Sequence, residues 1–213
     1  MQPTILYAYD ALCGWCYGFS PVVKELHARW HDRFEFQVRS GGMVRGARVA
    51  PIRQMADYIR QSYPRVEQTT GVRFGEAFLD GLLAEGDYVS DSEPPARALA
   101  TLRSHRPEAE VAFAHALQDA FYLHGHDLND PSTYRRLATT FELDADGFVA
   151  DMQTERTKRA VLREFDELSA LGVRGFPSLL LHDGEQYYLL AHGYRSAEEL
   201  NAIIGEVATQ WSV

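Results

Sequence analysis

The sequence predicts an α/β protein in which one sheet is assembled from both ends of the chain. Residues 1–42 follow the pattern of a strand, a helix and a strand, and residues 172–213 follow that of two strands and a helix. The residues between them have helical spacing and no recognisable strand signature. Because neither end is large enough to bury its own apolar faces, we expect both ends to form one layer, with the helical block as an insertion.

Three patterns define the N-terminal unit. Thr4–Tyr9 is almost uninterrupted apolar sequence, which is typical of a strand covered on both faces. Between about Trp15 and Trp30, apolar residues recur at steps of three and four and mark one buried helix face, which Pro21 is expected to bend. Residues 34–39 alternate between apolar and polar, which indicates a second strand. This order predicts a parallel strand pair joined by a right-handed crossover.

The middle block is marked by helix boundaries. Pro51, Pro107 and Pro131 stand where a proline can occupy the first position of a helix, and Asp130 can cap the last of these helices. Gly172 is expected to end the last long helix of the block. We therefore expect this block to consist of helices.

A β-hairpin is expected after the helical block. Residues 178–182 and 187–191 have the composition of strands, and Asp183-Gly184 between them is a common hairpin turn. These strands would extend the sheet that the N-terminal unit begins.

A closing helix and the domain division complete this interpretation. Ser196 and Glu199 form a capping box, which predicts that a helix follows. Residues 1–42 and 172–213 would make the sheet domain, and residues 43–171 would make the helical insertion domain.

Composition and charge narrow the class of protein. The chain has 213 residues, 21 of them basic and 30 acidic, with a formal net charge of −9. This balance disfavours nucleic acid as the main partner, and no apolar run is long enough to predict a membrane-spanning helix. Met1 is followed almost directly by strand-like sequence without an export signal, so we expect a cytoplasmic protein, in which disulfides are usually transient and catalytic.

The two cysteines of the chain are separated by two residues where the first strand gives way to the first helix. In Cys13-Gly14-Trp15-Cys16, both sulfurs fall on one side of the first helical turn. Cys13 would lie at the helix N-terminus, where free N–H groups and the helix dipole favour the thiolate. Cys16 lies one turn further in, where it is less exposed and suited to attack a mixed disulfide. The expected chemistry is thiol–disulfide exchange.

This cysteine motif and a later proline motif resemble those of a known family. The segment from Asp10 to Phe19 (DALCGWCYGF) is similar to that of DsbA-like thioredoxin-fold proteins, in particular the branch of FrnE-type oxidoreductases and predicted protein-disulfide isomerases. Pro21 resembles the kink proline of thioredoxins, and residues 172–179 (GVRGFPSL) resemble the cis-proline loop of the family. The order of elements is similar across essentially the whole chain. The resemblance implies an α/β thioredoxin-like fold with a large all-helical insertion.

The resemblance also implies how the site works. Cys13 would be the nucleophile and Cys16 the resolving thiol of a protein-disulfide oxidoreductase or isomerase. The Phe176–Pro177 bond would be cis and would hold the backbone of Phe176 against the cysteines, as an edge for a substrate segment. Trp15 is the aromatic residue expected to be exposed to substrate. The partner would be a polypeptide or a small molecule with a thiol or disulfide. No bound cofactor or metal is expected, and glutathione is the candidate small thiol for recycling the site.

Two other functions remain open at this stage. Kappa-class glutathione transferases and 2-hydroxychromene-2-carboxylate isomerases resemble this architecture, but they have serine in place of the first cysteine. Retention of both Cys13 and Cys16 favours redox exchange over a glutathione-dependent transferase or isomerase. A third reading is a non-enzymatic chaperone or adaptor whose helical block binds clients.

Structural roles compete with functional ones at several positions. The cysteines could be half of a zinc site, although His124 and His126 are the only compact histidine pair available to complete it. Asp10 is a candidate modulator of the cysteines, as a proton acceptor or through its charge, although an aspartate at this position more often caps the strand-to-helix turn. Residues 40–43 (SGGM) would either line the cleft or form a flexible exit loop.

Overall fold

The computed structural model describes residues 2–210, and its main sheet has four strands. All strands of the described residues are β1 (Thr4–Tyr9), β2 (Glu35–Ser40), β3 (Ala50–Pro51), β4 (Val89–Ser90), β5 (Ser178–His182) and β6 (Tyr187–His192). The main sheet has the order β2-β1-β5-β6, with β1 parallel to β2 and the other neighbours antiparallel. Both ends of the chain therefore contribute to one sheet, as the sequence predicts.

Helices cover the sheet and fill the region between its two halves. They are α1 (Gly14–Trp30), α2 (Ala56–Thr70), α3 (Leu83–Glu85), α4 (Glu93–His105), α5 (Glu110–Gln118), α6 (Pro131–Thr140), α7 (Ala145–Met152), α8 (Glu155–Ala170) and α9 (Ala197–Gln210). Two π-helical segments, Ala77–Leu82 and Asp119–Leu123, lie beside α3 and α5.

Capping residues begin or end several of these helices at the positions that the sequence predicts. The Asp130 carboxylate accepts a hydrogen bond from the Ser132 N–H at 2.8 Å at the start of α6. Gly172, with a φ of +80°, follows the last turn of α8. The capping box at the start of α9 is confirmed, because the Glu199 N–H donates to Ser196 Oγ at 3.2 Å and the Ser196 N–H donates to Glu199 Oε2 at 3.0 Å.

The middle block differs from the predicted one at several points. It contains the short antiparallel pair β3 and β4, which at two residues each are too short to show alternating polarity. The prediction that Pro51 opens a helix was wrong: Pro51 ends β3, and a 3₁₀ turn at Ile52–Gln54 separates it from α2. Pro107 opens a 3₁₀ turn that leads into α5. Helix α7 was not predicted.

One cluster of buried side chains connects the sheet with the helical block. Ile5 on β1, Leu26 on α1, Leu99 on α4 and Phe113 on α5 belong to it and are completely shielded from solvent. The two predicted domains therefore share a core, and the boundaries of 1–42, 43–171 and 172–213 stay predictions. Within residues 2–210, no helix combines the length and apolar composition that crossing a membrane requires.

An ionic cluster attaches the helical block to the outer edge of β2, which is an edge strand of the main sheet. The Glu110 and Glu164 carboxylates accept hydrogen bonds from the backbone N–H groups of Val38, at 3.0 Å, and Ser40, at 2.6 Å. Arg103 on α4 bridges the two carboxylates, with N–O distances of 3.0 Å to Glu110 and 2.7 Å to Glu164. Side chains from three helices thus occupy the backbone groups that an edge strand would otherwise leave unpaired.

We predict that Arg103→Met destabilises the fold by about 3 kcal/mol, because it leaves the two buried carboxylates with only the more distant Arg39, at 3.6 Å from Glu110 and 3.7 Å from Glu164. Urea unfolding would measure the free energy of unfolding. Arg135→Met is the matched control, since Arg135 forms an exposed ion pair with Asp146 and its loss should cost less than about 1 kcal/mol. Equal losses in the two variants would contradict a structural role for the cluster on β2.

Candidate active site

The cysteine motif begins at the junction between β1 and α1. Cys13 is the N-cap residue of α1 and has an extended backbone, with φ −95° and ψ 110°. The Cys16 N–H donates a hydrogen bond to Cys13 Sγ at 3.4 Å. An N–H donor and the N-terminal end of the helix therefore both face the Cys13 sulfur.

The two thiols differ in burial. Cys13 is 7% exposed, whereas Cys16 is completely buried, and neither forms a disulfide. Burial raises the pKa of the Cys16 thiol well above its ordinary value, and the hydrogen bond and charge of Cys13 raise it further. Cys16 is therefore held as a protonated thiol, whereas Cys13 keeps a small exposed surface. The lower exposure of Cys16 was expected from the sequence, and the reactive roles of the two thiols stay predictions.

The proline loop lies against Cys13. The Phe176–Pro177 peptide bond is cis, as the family resemblance implies, and the Cys13 thiol donates a hydrogen bond to the Phe176 carbonyl oxygen at 3.5 Å. Pro177 itself is buried, and its carbonyl oxygen accepts a hydrogen bond from the Gly193 N–H at 2.8 Å. The part of the loop that remains accessible next to the sulfur is Phe176.

The ring of Phe176 is accommodated by a glycine at the end of β2. A Cβ atom on Gly41 would lie 1.8 Å from Phe176 Cζ, which is far inside contact distance. Gly41, in the segment of residues 40–43, leaves the space in which the proline loop approaches the cysteines.

The buried carboxylate of Asp10 organises the turn that carries Cys13. It accepts hydrogen bonds from the N–H groups of Leu12, at 3.0 Å, and Met43, at 2.7 Å, and from Ser92 Oγ at 3.0 Å. The Asp10 carbonyl oxygen accepts a hydrogen bond from the Cys13 N–H at 3.1 Å. Burial raises the pKa of the Asp10 carboxyl, although these donors act in the opposite direction. Asp10 therefore caps the strand-to-helix turn, which is one of the two roles that its position suggests. In addition, the negative charge of Asp10 contributes to the raised pKa of the Cys16 thiol.

A cleft of about 600 Å³ opens beside Cys13 and extends under α2. Most of its walls are apolar or aromatic, and they come from the first turn of α1, the segment after β2, α2 and the two π-helical segments. Its inner end is formed by buried lining side chains, which are Val66, Phe74, Phe78, Phe121 and Tyr122. Its size and composition are those of a site for a small molecule or a single large side chain.

The inner end of the cleft is built where the two π-helical segments meet. The Gly75 N–H donates to the Tyr122 carbonyl oxygen at 2.9 Å. A Cβ atom on Gly75 would lie 1.9 Å from the Leu123 carbonyl oxygen, and one on Gly125 would lie 2.3 Å from that of Ala77. Two glycines therefore allow the two backbones to touch, and this contact brings Phe78, Phe121 and Tyr122 together.

The other residues considered in the sequence analysis occupy less reactive positions. Trp15 lines the mouth of the cleft and is half-buried, so it is only partly available to a substrate. The rings of His124 and His126 are 5.7 Å apart. No group of three or more His, Cys, Asp and Glu side chains in the part of the chain that the structure describes is arranged to hold a metal ion.

Comparison with models of known protein families shows which family the chain belongs to. The model of the DSBA-like thioredoxin domain matches residues 4–205. The chain belongs to the DsbA-like thioredoxin family. The predicted fold class, a thioredoxin-like α/β fold with a helical insertion, is thereby confirmed, and so is the family resemblance. Members of this family are disulfide oxidoreductases and isomerases.

Individual relatives cover different shares of the fold. A solved Nitrosomonas europaea protein, provisionally named a protein disulfide isomerase, is 26% identical, with a TM-score of 0.88 and 99% of each chain covered. The cytosolic disulfide reductase DsbM from Pseudomonas aeruginosa is 24% identical, with a TM-score of 0.82 over 97% of this chain and 99% of that one, and it has also been solved with glutathione. The ClpXP adapter protein SpxH of Halalkalibacterium halodurans is 20% identical over 84% of this chain, which spans only 58% of that protein.

Sequence reasoning did not connect three groups of residues with the cysteines of this DsbA-like site. Gly41 was noticed, but its contact with Phe176 involves residues that are distant in the sequence. The wall formed by α2 was not connected with the cysteines. Arg48, which lines the cleft, lies in a short 3₁₀ turn, Gly46–Arg48, that carries no motif.

We predict that Gly41→Ala reduces thiol–disulfide exchange by displacing the Phe176 ring, and that it costs about 1–3 kcal/mol of stability through overpacking. Exchange rates with a small disulfide and urea unfolding would measure the two effects. Gly81→Ala is the matched control, because a Cβ atom there meets no atom within 4 Å. Unchanged exchange in the Gly41 variant would contradict the requirement for this space.

We predict that Asp10→Asn shifts the pH profile of the resolving step to lower pH. The substitution removes a negative charge that raises the pKa of Cys16, so a larger fraction of Cys16 is thiolate at a given pH. The rate at which Cys16 displaces a preformed mixed disulfide would be measured from pH 6 to about 10. Ser92→Ala removes a hydrogen bond to Asp10 and keeps its charge, so its profile should not move. If the pH profile of Asp10→Asn is not shifted, Asp10 acts only as a cap of the turn and does not modulate Cys16.

Proposed function

We propose that this chain is a thiol–disulfide oxidoreductase that uses Cys13 and Cys16 as its reactive dithiol. The observation that supports this most strongly is the position of Cys13. Its sulfur lies at the N-terminus of α1, accepts the Cys16 N–H and contacts the Phe176 carbonyl oxygen of the proline loop. Stabilised charge and an adjacent backbone edge are what a nucleophilic thiol needs in order to attack a bound disulfide.

The reaction has two steps. The Cys13 thiolate attacks one sulfur of a substrate disulfide, whose S–S bond breaks as the second sulfur leaves as a thiolate and takes up a proton. Cys16 then loses its proton and attacks Cys13 Sγ in the mixed disulfide, which releases the first substrate sulfur as a thiol. The protein loses two electrons and forms a Cys13–Cys16 disulfide, and the substrate gains two electrons. The reverse sequence oxidises a substrate dithiol.

Substrates of this site would be polypeptides or small molecules that contain a thiol or a disulfide. Phe176 would present a backbone edge to an extended segment, with Trp15 beside it. Glutathione is the small thiol proposed to reduce the Cys13–Cys16 disulfide after each turnover. This use of glutathione requires no bound cofactor. Because it fits a reducing compartment, we propose that the protein acts in the cytoplasm.

A second function is supported by the cleft itself. A volume of about 600 Å³ next to Cys13 would accommodate an apolar molecule together with a thiol at the mouth. Such an arrangement would suit a glutathione-dependent transferase or isomerase. Cys16 separates the two functions, because only the redox reaction consumes a second thiol of the protein.

We predict that Cys13→Ser abolishes exchange and that Cys16→Ser stops after the first step. Reduced protein would be mixed with oxidised glutathione and analysed by intact mass spectrometry. Cys16→Ser should accumulate a glutathione adduct, Cys13→Ser should remain unmodified, and the unsubstituted protein should form the internal disulfide. Serine can serve as an N-cap, so Cys13→Ser should keep the fold.

Other outcomes would identify the alternatives. Exchange that persists in Cys13→Ser would overturn the proposed nucleophile. Catalytic turnover of a glutathione conjugate or isomer in Cys16→Ser would favour the transferase or isomerase. Suppression of client aggregation by the double variant Cys13→Ser/Cys16→Ser would indicate an adaptor function that needs neither thiol.

A further inference from the structure

The cleft beside Cys13 has one charged residue in its lining. Among its lining residues within 2–210, Arg48 alone carries a charge, and its side chain is exposed to solvent at the mouth of the cleft. The remaining lining side chains are apolar, aromatic or uncharged polar groups. An apolar site with a single charged group at its mouth is arranged to orient a ligand that is apolar at one end and charged at the other.

Arg48 has no ion-pair partner among the described residues. Two neighbouring arginines do have partners: Arg45 pairs with Asp166 at 3.0 Å, and Arg53 pairs with Asp87. The charge of Arg48 lowers the pKa of the buried Asp10 carboxyl, but the side-chain hydrogen bonds of Asp10 go to Leu12, Met43 and Ser92. The guanidinium group is therefore available to a ligand, in a protein whose formal charge is −9.

We propose that the cleft binds a small disulfide that carries a carboxylate and an apolar, preferably aromatic, group. This inference rests on the proposed function and names the substrate class of the same site. The carboxylate pairs with Arg48, whose planar guanidinium group can donate two parallel hydrogen bonds to it. The apolar group packs on Phe74, Phe78 and Tyr122 inside the cleft, and the S–S bond then lies at Cys13.

The size of the cleft suits a small molecule. Its walls are supplied by α2 on one side and the two π-helical segments on the other, and its volume of about 600 Å³ is within the range of small-molecule sites. Disulfide exchange with such a ligand needs no additional reductant in a single turnover. The reduced Cys13–Cys16 pair supplies both electrons, and two small thiols are released.

The test compares two aromatic disulfides that differ in charge. The anionic probe is 5,5′-dithiobis(2-nitrobenzoate), and the neutral probe is 2,2′-dithiobis(5-nitropyridine). Single-turnover reactions with the reduced protein, followed by thiol absorbance over a range of probe concentrations, give a half-saturation concentration and a limiting rate. Each variant is compared with the unsubstituted protein for each probe separately, so that the intrinsic reactivity of the probes cancels.

Arg48→Gln should raise the half-saturation concentration for the anionic probe about tenfold, as expected for loss of one charge-assisted contact, and should leave the limiting rate nearly unchanged. The same variant should react with the neutral probe as the unsubstituted protein does. Arg60→Gln is the matched control, because Arg60 is an exposed arginine on α2 that does not line the cleft, and it changes the net charge equally. The half-saturation concentration and the limiting rate of Arg60→Gln should not change for either probe.

Three results would overturn the inference. The first is an equal effect of Arg48→Gln on both probes, the second is an equal effect of Arg48→Gln and Arg60→Gln on the anionic probe, and the third is no effect at all. A reduced protein that reacts with neither probe would instead contradict the proposed function.

A binding measurement separates the cleft from the redox chemistry. The S-methyl thioether of 5-mercapto-2-nitrobenzoate cannot exchange, so calorimetric titration of it into the Cys13→Ser/Cys16→Ser variant reports binding alone. Binding that is weakened by adding Arg48→Gln supports the inference whatever the thiols do. No binding, or preference for an uncharged peptide disulfide over both probes in the exchange assay, would contradict a small anionic ligand.

Discussion

The position of the Cys13 sulfur depends on one buried carboxylate. Asp10 connects three parts of the chain that are far apart in sequence: the turn after β1, the segment after β2 and the start of α4. Its carbonyl oxygen holds the Cys13 N–H, and so the same residue fixes where α1 begins. A carboxylate this deeply buried is tolerated because donors surround it. Without these bonds, neither the mouth of the cleft nor the N-cap would be defined.

The helical insertion is held to the sheet by charge as well as by apolar packing. Glu110, Glu164 and Arg103 bind backbone groups of β2, so the sheet ends at helices instead of at a free edge. The strand that this cluster secures leads directly to Gly41. Because the Phe176 ring occupies the space above that glycine, the ionic cluster and the proline loop act on the site through the same strand.

The features that could be predicted from sequence are those with a local signal. The spacing of Cys13 and Cys16, the glycine and proline of the loop at residues 172–179, and the capping box at Ser196 each specify their own geometry. The pair β3 and β4 has no such signal, since two residues cannot show a period. The contact of Gly41 with Phe176 and the exposure of Arg48 to the cleft arise from tertiary packing, which no local pattern encodes.

The contact between the two π-helical segments has a consequence for how substrate preference could diverge among related proteins. Gly75 and Gly125 bring the two backbones into contact, so no larger side chain fits at either position. The innermost surface of the cleft is therefore constrained by main-chain geometry. Helix α2 has no comparable restriction, since its N-cap residue Met55 and Tyr58 in its first turn are largely exposed. Substitutions on that helix could therefore reshape the cavity, in evolution or by protein engineering, without changing Cys13 and Cys16.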